Sequence, residues 1–442
     1  MGQLCCFGFS RSALAAIACS LLAVGGVAAE SETRTASVDE PTGALHLSDA
    51  RALALSRSPA LGARQSQAAA AVQRTRQAGL FPNPEVGVEI ENFAGSGAFD
   101  GFDAAETTFV LSQPVQLGGK RGKRRDVASL DEDRIRSEYD AAELNLLREV
   151  DSAFAALLAT QERLSIANNL VDLAKDTLES ISSQVRAGGA LPTDRIRAEV
   201  NVDSALLDRE RLRSALATAR LRLARTWGSA NPTFDEVRGE LREIGPPPPL
   251  VGLLEHLEET PEVARWDAEV SRQRAQVRLE EARAYPDVRL AVGVRRLSET
   301  DDYAAVVGLT VPIPVFDRNQ GNAAAASELL HTAEERAREN RIRIESLLAT
   351  THQRLLSEYE TATRLQDVLI PKAKEAFTGT QRSLRSGRLR YTDVLEAQRT
   401  LFSLELNYID ALAAYHVAFA ELEQLAGRRL APDRDSLPEN HR

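Results

Sequence analysis

Sulphur is almost absent from this chain of 442 residues, which has three cysteines and one methionine. Cys5, Cys6, Cys19 and Met1 all precede residue 30. They lie in a stretch with one basic residue, Arg11, and an apolar run that closes on Val27-Ala28-Ala29. That small-residue ending reads as a secretory leader, residues 1–29, cleaved after Ala29. An uncleaved anchor fits less well because the run is short and rich in small residues. Acylation at Cys19 competes with cleavage, although Ala16 stands where a leucine would be preferred. Cleavage leaves a mature chain without sulphur, which excludes disulfides and thiolate or thioether metal sites. The six histidines are scattered with no ligand spacing, so neither a metal site nor a cofactor is expected. After the leader no apolar stretch approaches about eighteen residues, which removes the transmembrane helix from consideration. No HExxH, nucleophile elbow or His/Asp/Ser cluster occurs, and the chain does not read as an enzyme. Losing Arg11 takes the formal charge from −10 to −11 (−10 − 1), the wrong sign for a nucleic-acid partner.

What the chain does have is an internal copy. Pro59 recurs as Pro261 and Pro84-Glu85-Val86 as Pro286-Asp287-Val288, at an offset of 202 (261 − 59). Gly188…Thr193-Asp194 recurs as Gly387…Thr392-Asp393 and Gly228 as Gly427, at 199 (427 − 228). The small drift means that each half repeats an ordered set of elements, too long for a solenoid unit. We read 30–245 as the first structural repeat, 246–427 as the second and 428–442 as a disordered tail, with Pro246–Pro249 as a stiff connection.

Each repeat opens with an Ala/Arg-rich helix, Ser48 to about Gly79 and Leu250 to about Ala284. Period-two alternation then predicts strands starting at Val86 and Val288, followed by strands over Thr107–Val115 and Ala304–Val315. The segments between the strands read as hairpin loops. Next come the longest helical signals, Arg121–Arg186 and Gly321–Arg385, rods of roughly 100 Å, with Pro371 expected to bend or unwind the second. Glycine turns reverse the chain into return helices, Asp194–Trp227 and Asp393–Ala426. In the second, Val394, Gln398, Leu401, Glu405, Tyr408, Leu412, Tyr415, Phe419, Leu422 and Ala426 trace a heptad seam. A second seam, Leu395, Phe402, Ile409 and His416, implies two helical neighbours; one wide apolar face on a bundle core fits nearly as well.

Four strands cannot close a membrane barrel alone, because open edges leave unpaired backbone groups in lipid. Either copies of the chain pool their strands, or the strands form a small soluble sheet on the helices. At this point the order of elements resembles the TolC family of outer-membrane efflux proteins over essentially the whole mature chain. Ser112-Gln113-Pro114-Val115-Gln116-Leu117-Gly118-Gly119-Lys120-Arg121, Pro312–Gly321 and Tyr391–Leu401 are similar to the CzcC-like heavy-metal branch. The resemblance implies a mainly α fold with a small β part: a trimeric α/β-barrel with four transmembrane strands and long periplasmic helical hairpins per protomer. It implies a homotrimer in outer-membrane lipid, extending into the periplasm and joined by a periplasmic adaptor (membrane fusion protein) and an inner-membrane resistance-nodulation-division pump. The function implied is passive, gated export of metal cations. A drug-efflux or type I secretion channel is the alternative, and a periplasmic coiled-coil adaptor a more distant one.

Carried onto this sequence, the family's narrowest ring matches Asp393 and Glu396, one turn apart on one helix face. A capping pair, with Asp393 at the N-cap and Glu396 at the third helical position, explains the same residues. Asp194 matches a latch aspartate, but Leu389 stands where the family has the latch arginine, flanked by Arg388 and Arg390. The hairpin tips that the resemblance assigns to adaptor contact are Arg186, Gly188, Gly189 and Leu191, then Arg385, Gly387, Arg388, Leu389 and Arg390. Arg186 and Arg385 also serve as helix-end cations satisfying the dipole.

Overall fold

The computed structural model describes residues 40–386 and 388–430. The leader, residues 431–442 of the tail, Gly387 and the Arg385 side chain lie outside the described residues. Arg428–Leu430 are described, and the Leu430 N–H donates to Glu423 Oε1 at 2.8 Å.

The opening helix is two helices, α1 (Leu47–Arg57) and α2 (Pro59–Ala78). Ser58 takes an extended conformation between them (φ −60°, ψ 117°) and caps α2 with its side chain. The residue before a proline disfavours the helical region, so Pro59 starts a helix instead of lying within one. The second repeat breaks the same way. A short helix α5 (Leu250–Leu254) and a 3₁₀ turn precede α6 (Pro261–Arg283), with Thr260 extended before Pro261. Each proline meets the glycine that ends the return helix of its own repeat. Both glycines are left-handed, Gly228 at φ +83° and Gly427 at φ +68°, and an added Cβ would stand 2.9 Å from Pro59 Cδ, too close for any side chain, and a tight 3.1 Å from Pro261 Cδ. The Pro and Gly repeats in the sequence are thus the two sides of one packing contact, made twice.

The first rod, α3 (Lys120–Arg186), runs 67 residues unbroken, about 100 Å at 1.5 Å per residue. It reverses into α4 (Pro192–Arg225). The second rod is α7 (Gln320–Arg364), a π turn over Leu365–Leu369 and α8 (Ile370–Arg385). Pro371 lacks an N–H for the carbonyl four residues back and its ring crowds that turn, so the helix widens there without breaking. Return helix α9 (Tyr391–Leu425) packs on α3 on one side and on α7 and α8 on the other. Two neighbours is what two seams require. Val394, Gln398, Leu401, Tyr408, Leu412, Tyr415, Leu422 and Ala426 are buried along the main seam; of the second seam Ile409 is buried and Leu395, Phe402 and His416 are half-buried.

Between each opening helix and rod lies a hairpin: β2 (Glu85–Glu91) with β3 (Glu106–Val115), and β5 (Val288–Leu297) with β6 (Asp302–Thr310). They join into one antiparallel sheet, ordered β2-β3-β5-β6. β6 stops at Thr310 and not at Val315, because Pro312 and Pro314 cannot donate to a ladder and Val315 N–H turns back to Ile313 C=O at 2.9 Å.

A second sheet has no counterpart in the sequence reading. β1 (Gly43–His46) and β4 (Phe234–Arg238) pair in parallel. The Gln161 side chain from α3 acts as a further partner, donating to Val237 C=O at 3.0 Å and accepting from Val237 N–H at 2.9 Å. Leu45, Phe234 and Val237 join Leu157, Leu223, Trp227 and Leu412 in the largest apolar cluster. This belt of buried side chains ties β1, α1, the mid-rod and both return helices together.

Candidate functional site

Two places carry chemistry: the hairpin tips, and the four-stranded sheet at the other end of the rods.

Among the described residues the tips share their main backbone hydrogen bonds. Gly189 N–H donates to Gln184 C=O at 2.8 Å, and Arg388 N–H to Ser383 C=O at 2.9 Å. Asp194 N–H donates to Leu191 C=O at 2.9 Å, and Asp393 N–H to Arg390 C=O at 3.1 Å. Each rod thereby closes its C-terminal carbonyls and each return helix opens on an extended residue. Gly188 supplies the left-handed φ of +77° that the first turn needs. Arg186 donates to Ser183 Oγ at 3.0 Å, and Leu191 and Leu389 are exposed.

The charges at the tips differ. In the first, Asp194 is largely covered and pairs with Arg197 at 3.3 Å. In the second, Asp393 sits at the third helical position and accepts from Arg390 N–H at 3.1 Å. The N-cap is Arg390, so the capping role falls to Asp393 from three residues further in than the sequence suggested, and Glu396 takes no part in it. Glu396 is exposed one turn along the same face. Among the described residues of the single copy no ion pair joins Asp194 to Arg388 or Arg390.

What the structure sets beside Asp194 is Tyr391, which sequence reasoning missed. Its ring is buried among Ile181, Ala198, Leu178 and Leu384, holding the start of α9 onto the first hairpin. Burial raises the Tyr391 phenol above its ordinary pKa, the Asp194 carboxylate adds to that and Arg399 opposes it. Tyr391 opens a motif of the resemblance, but nothing in the sequence gives it this packing role, because its burial depends on α3 and α4 arriving from two hundred residues away.

The sheet has two chemically distinct faces. Register places Val86, Val88, Phe109, Leu111, Leu290, Val292, Val307 and Leu309 side by side on one face, all of them exposed. The opposite face carries Glu85, Glu89, Glu91, Glu106, Arg289 and Arg295. Arg295 bridges two strands, reaching Glu106 at 2.7 Å, Glu91 at 3.2 Å and Thr108 Oγ1 at 3.0 Å, and Arg289 pairs with Glu85. These charges were legible as period-two polar positions, but their partnership needed the β3–β5 register. Aromatics flank both ends: Phe81, Tyr285 and Phe316 on the rod side, Phe93, Phe99, Phe102 and Tyr303 on the loop side, all exposed. Within the sheet β2 and β6 each have one unpaired edge.

His416 packs as a core residue. Its ring nitrogen Nε2 lies 2.8 Å from Leu241 C=O, and burial lowers its pKa. Among the described residues no three His, Cys, Asp or Glu side chains converge as a metal site.

The family model of the outer membrane efflux protein matches residues 50–229 and 253–428, one match per repeat. The chain is 30% identical over 416 residues to the cobalt-zinc-cadmium resistance protein CzcC of Cupriavidus metallidurans, covering 93% of this chain and 98% of that one. It is 29% identical over 311 residues to the nickel and cobalt resistance protein CnrC of the same organism, covering 70% and 72%. The outer membrane protein VceC of Vibrio cholerae has the same fold, with a TM-score of 0.73 at 17% identity over 87% of this chain and 96% of that one. Duplicated rods, a sheet with one apolar and one ion-paired face, and matches over both repeats lead to one conclusion: the chain belongs to the outer membrane efflux protein family and is an outer-membrane, TolC-like efflux channel protein extending into the periplasm.

Proposed function

We propose that three copies of this chain close into one conduit for divalent metal cations. The observation that carries the reading is the sheet with two open edges and two unlike faces. An unpaired strand edge is costly in lipid, and barrels begin at about eight strands. Four strands per copy must therefore be pooled, and three copies supply twelve. The apolar face then meets lipid between the two aromatic girdles, and the Arg295 cluster lines the lumen. The repeats, 30–245 and 246–427 after a leader over 1–29, likewise supply rods in pairs, so that three copies complete a ring of helices.

At the far end the tips form the gate. Asp393 and Glu396 from three copies place six carboxylates around one axis. They attract cations and repel one another, so the closed state is favoured by protons or bound cations. Asp194, neutralised by Arg197, steadies the neighbouring hairpin. The turns, with Arg186, Gly188, Gly189 and Leu191 on one tip and Arg385, Gly387, Arg388, Leu389 and Arg390 on the other, meet a periplasmic adaptor. A resistance-nodulation-division pump in the inner membrane supplies the energy. The cargo follows from the metals that the names of CzcC and CnrC carry.

A deletion strain tests this. Loss of the gene is expected to sensitise cells to cobalt, zinc or cadmium, with resistance restored by the wild-type chain. A strain with unchanged metal tolerance but raised sensitivity to organic toxins would move the cargo to drugs and leave the conduit standing.

A further inference from the structure

The start of the first rod carries charge that neither the gate nor the lumen uses. Lys120-Arg121-Gly122-Lys123-Arg124-Arg125 puts five cations into the first turns of α3, where the helix dipole favours anions. The second rod opens with Gln320-Gly321-Asn322-Ala323-Ala324-Ala325 and has none there, so the fold itself does not require them. Lys120 is neutralised by Asp287 at 2.7 Å. Arg76, Arg121 and Arg125 instead surround a cavity of about 380 Å³, completed by Thr75, Gly79 and Gly122. No carboxylate lines it, and among the described residues none of the three arginines is in an ion pair.

The depth of this cavity points to its ligand. The Arg121 guanidinium lies over the Phe81 ring, 3.9 Å from its centroid. Phe81 is 71% exposed, at the same strand end as the exposed Tyr285 and Phe316. Such aromatics mark the headgroup level of a membrane. α3 starts five residues after β3 ends, and Arg125 lies within roughly 8 Å of that start along the helix. A guanidinium pairs with phosphate through two parallel hydrogen bonds, and several converge on one phosphate without desolvating a counter-charge of their own.

We propose that the α2–α3 junction binds the phosphate of an anionic phospholipid in the periplasmic leaflet, with the acyl chains running along Phe81 and the apolar face of the sheet. The proposal rests on the outer-membrane channel reading and adds one lipid per protomer, held by Arg76, Arg121 and Arg125 and absent from the second repeat. It also accounts for the sign of the cluster: favourable phosphate contacts offset the unfavourable dipole.

The test is native mass spectrometry of the purified oligomer titrated with dioleoylphosphatidylglycerol. Each of Arg76→Gln, Arg121→Gln and Arg125→Gln is expected to weaken binding roughly fivefold, and the three together about a hundredfold. Arg318→Gln, a cation just before the second rod and outside the proposed site, is expected to change nothing. Inorganic phosphate at equal concentration is expected not to displace the lipid. Undiminished lipid binding by the triple variant overturns the proposal, as does displacement by phosphate alone, which would make the cavity an anion pocket. A wild-type chain that fails to reach the outer membrane would refute the channel reading itself, a result separable from lipid binding.

Discussion

The two repeats end in tips with the same backbone hydrogen bonds and opposite chemistry. Position 197 is Arg, paired with Asp194, whereas position 396, 199 residues on (396 − 197), is an exposed Glu beside the capping Asp393. Duplication preserved what closes the chain on itself and released the charge that the tips present. The opening helices diverge in the same manner. Arg51 in α1 makes a bidentate pair with Asp151, both bonds at 2.6 Å, while Leu253, 202 positions later (253 − 51), packs on Leu348, Leu355 and Tyr415. Geometry is shared by the halves; the means of holding it, and the charge it presents, are not.

The largest effects should come from what both halves share. Gly228→Val places a side chain on a left-handed residue against Pro59, and a loss of roughly 3 kcal/mol or more is expected. Gly427→Val, with slightly more room at Pro261, should cost less. Thermal denaturation of the purified oligomer would rank them, and equal tolerance of both would break the proposed Gly–Pro contact. Next come the divergent anchors. Leu253→Ala is expected to cost about 2–4 kcal/mol through the cavity it leaves, and Asp151→Ala about 2 kcal/mol because it strands a partly buried Arg51. Raised salt should weaken the Arg51 anchor and leave the Leu253 anchor unchanged.

At the tips, Glu396→Arg copies the first repeat's charge onto the second. Blocking of single-channel current by divalent cations should fall sharply in this variant and rise in the mirror change, Arg197→Glu. Unaltered blocking in both would remove these residues from the gate. The smallest effect concerns Glu423, whose pKa is raised chiefly by burial and further by Asp151, against a hydrogen bond from Leu430 and the charges of Arg51 and Arg429. The first repeat has the buried Ala224 at the matching position. A raised carboxyl binds more protons folded than unfolded, so its contribution grows as pH falls towards the ordinary value of 4.5 and is lost as pH rises through the folded value. Glu423→Gln should flatten that part of the stability profile and stabilise the protein near neutral pH by less than about 1 kcal/mol.

The elements whose signal is local were legible in the sequence. Rods of more than sixty residues, alternating strands and glycine turns each announce themselves within a few residues. The breaks at Ser58 and Thr260 fall inside what the sequence presents as one helix in each repeat; Pro59 and Pro261 sit there, but only packing against Gly228 and Gly427 shows that the helix divides. β1 and β4 are too short to show a period and pair across some two hundred positions. The candidate gate was half legible. The acidic pair stood out by its spacing, whereas Tyr391 and the Arg295 cluster exist only once distant elements meet.

The central claim is that the sheet's two open edges meet between copies. The mature chain would carry no cysteine, so introduced pairs report on this contact alone. One cysteine placed along Val86–Ile90 and another along Ala305–Leu309 cannot bond within a copy, because two strands at about 4.8 Å spacing lie between them and a disulfide spans under about 7 Å between Cα atoms. Oxidation in isolated outer membranes should give a covalent ladder that stops at three copies. A chain that stays monomeric at every pair tested, or a ladder that runs on past three, would contradict the account.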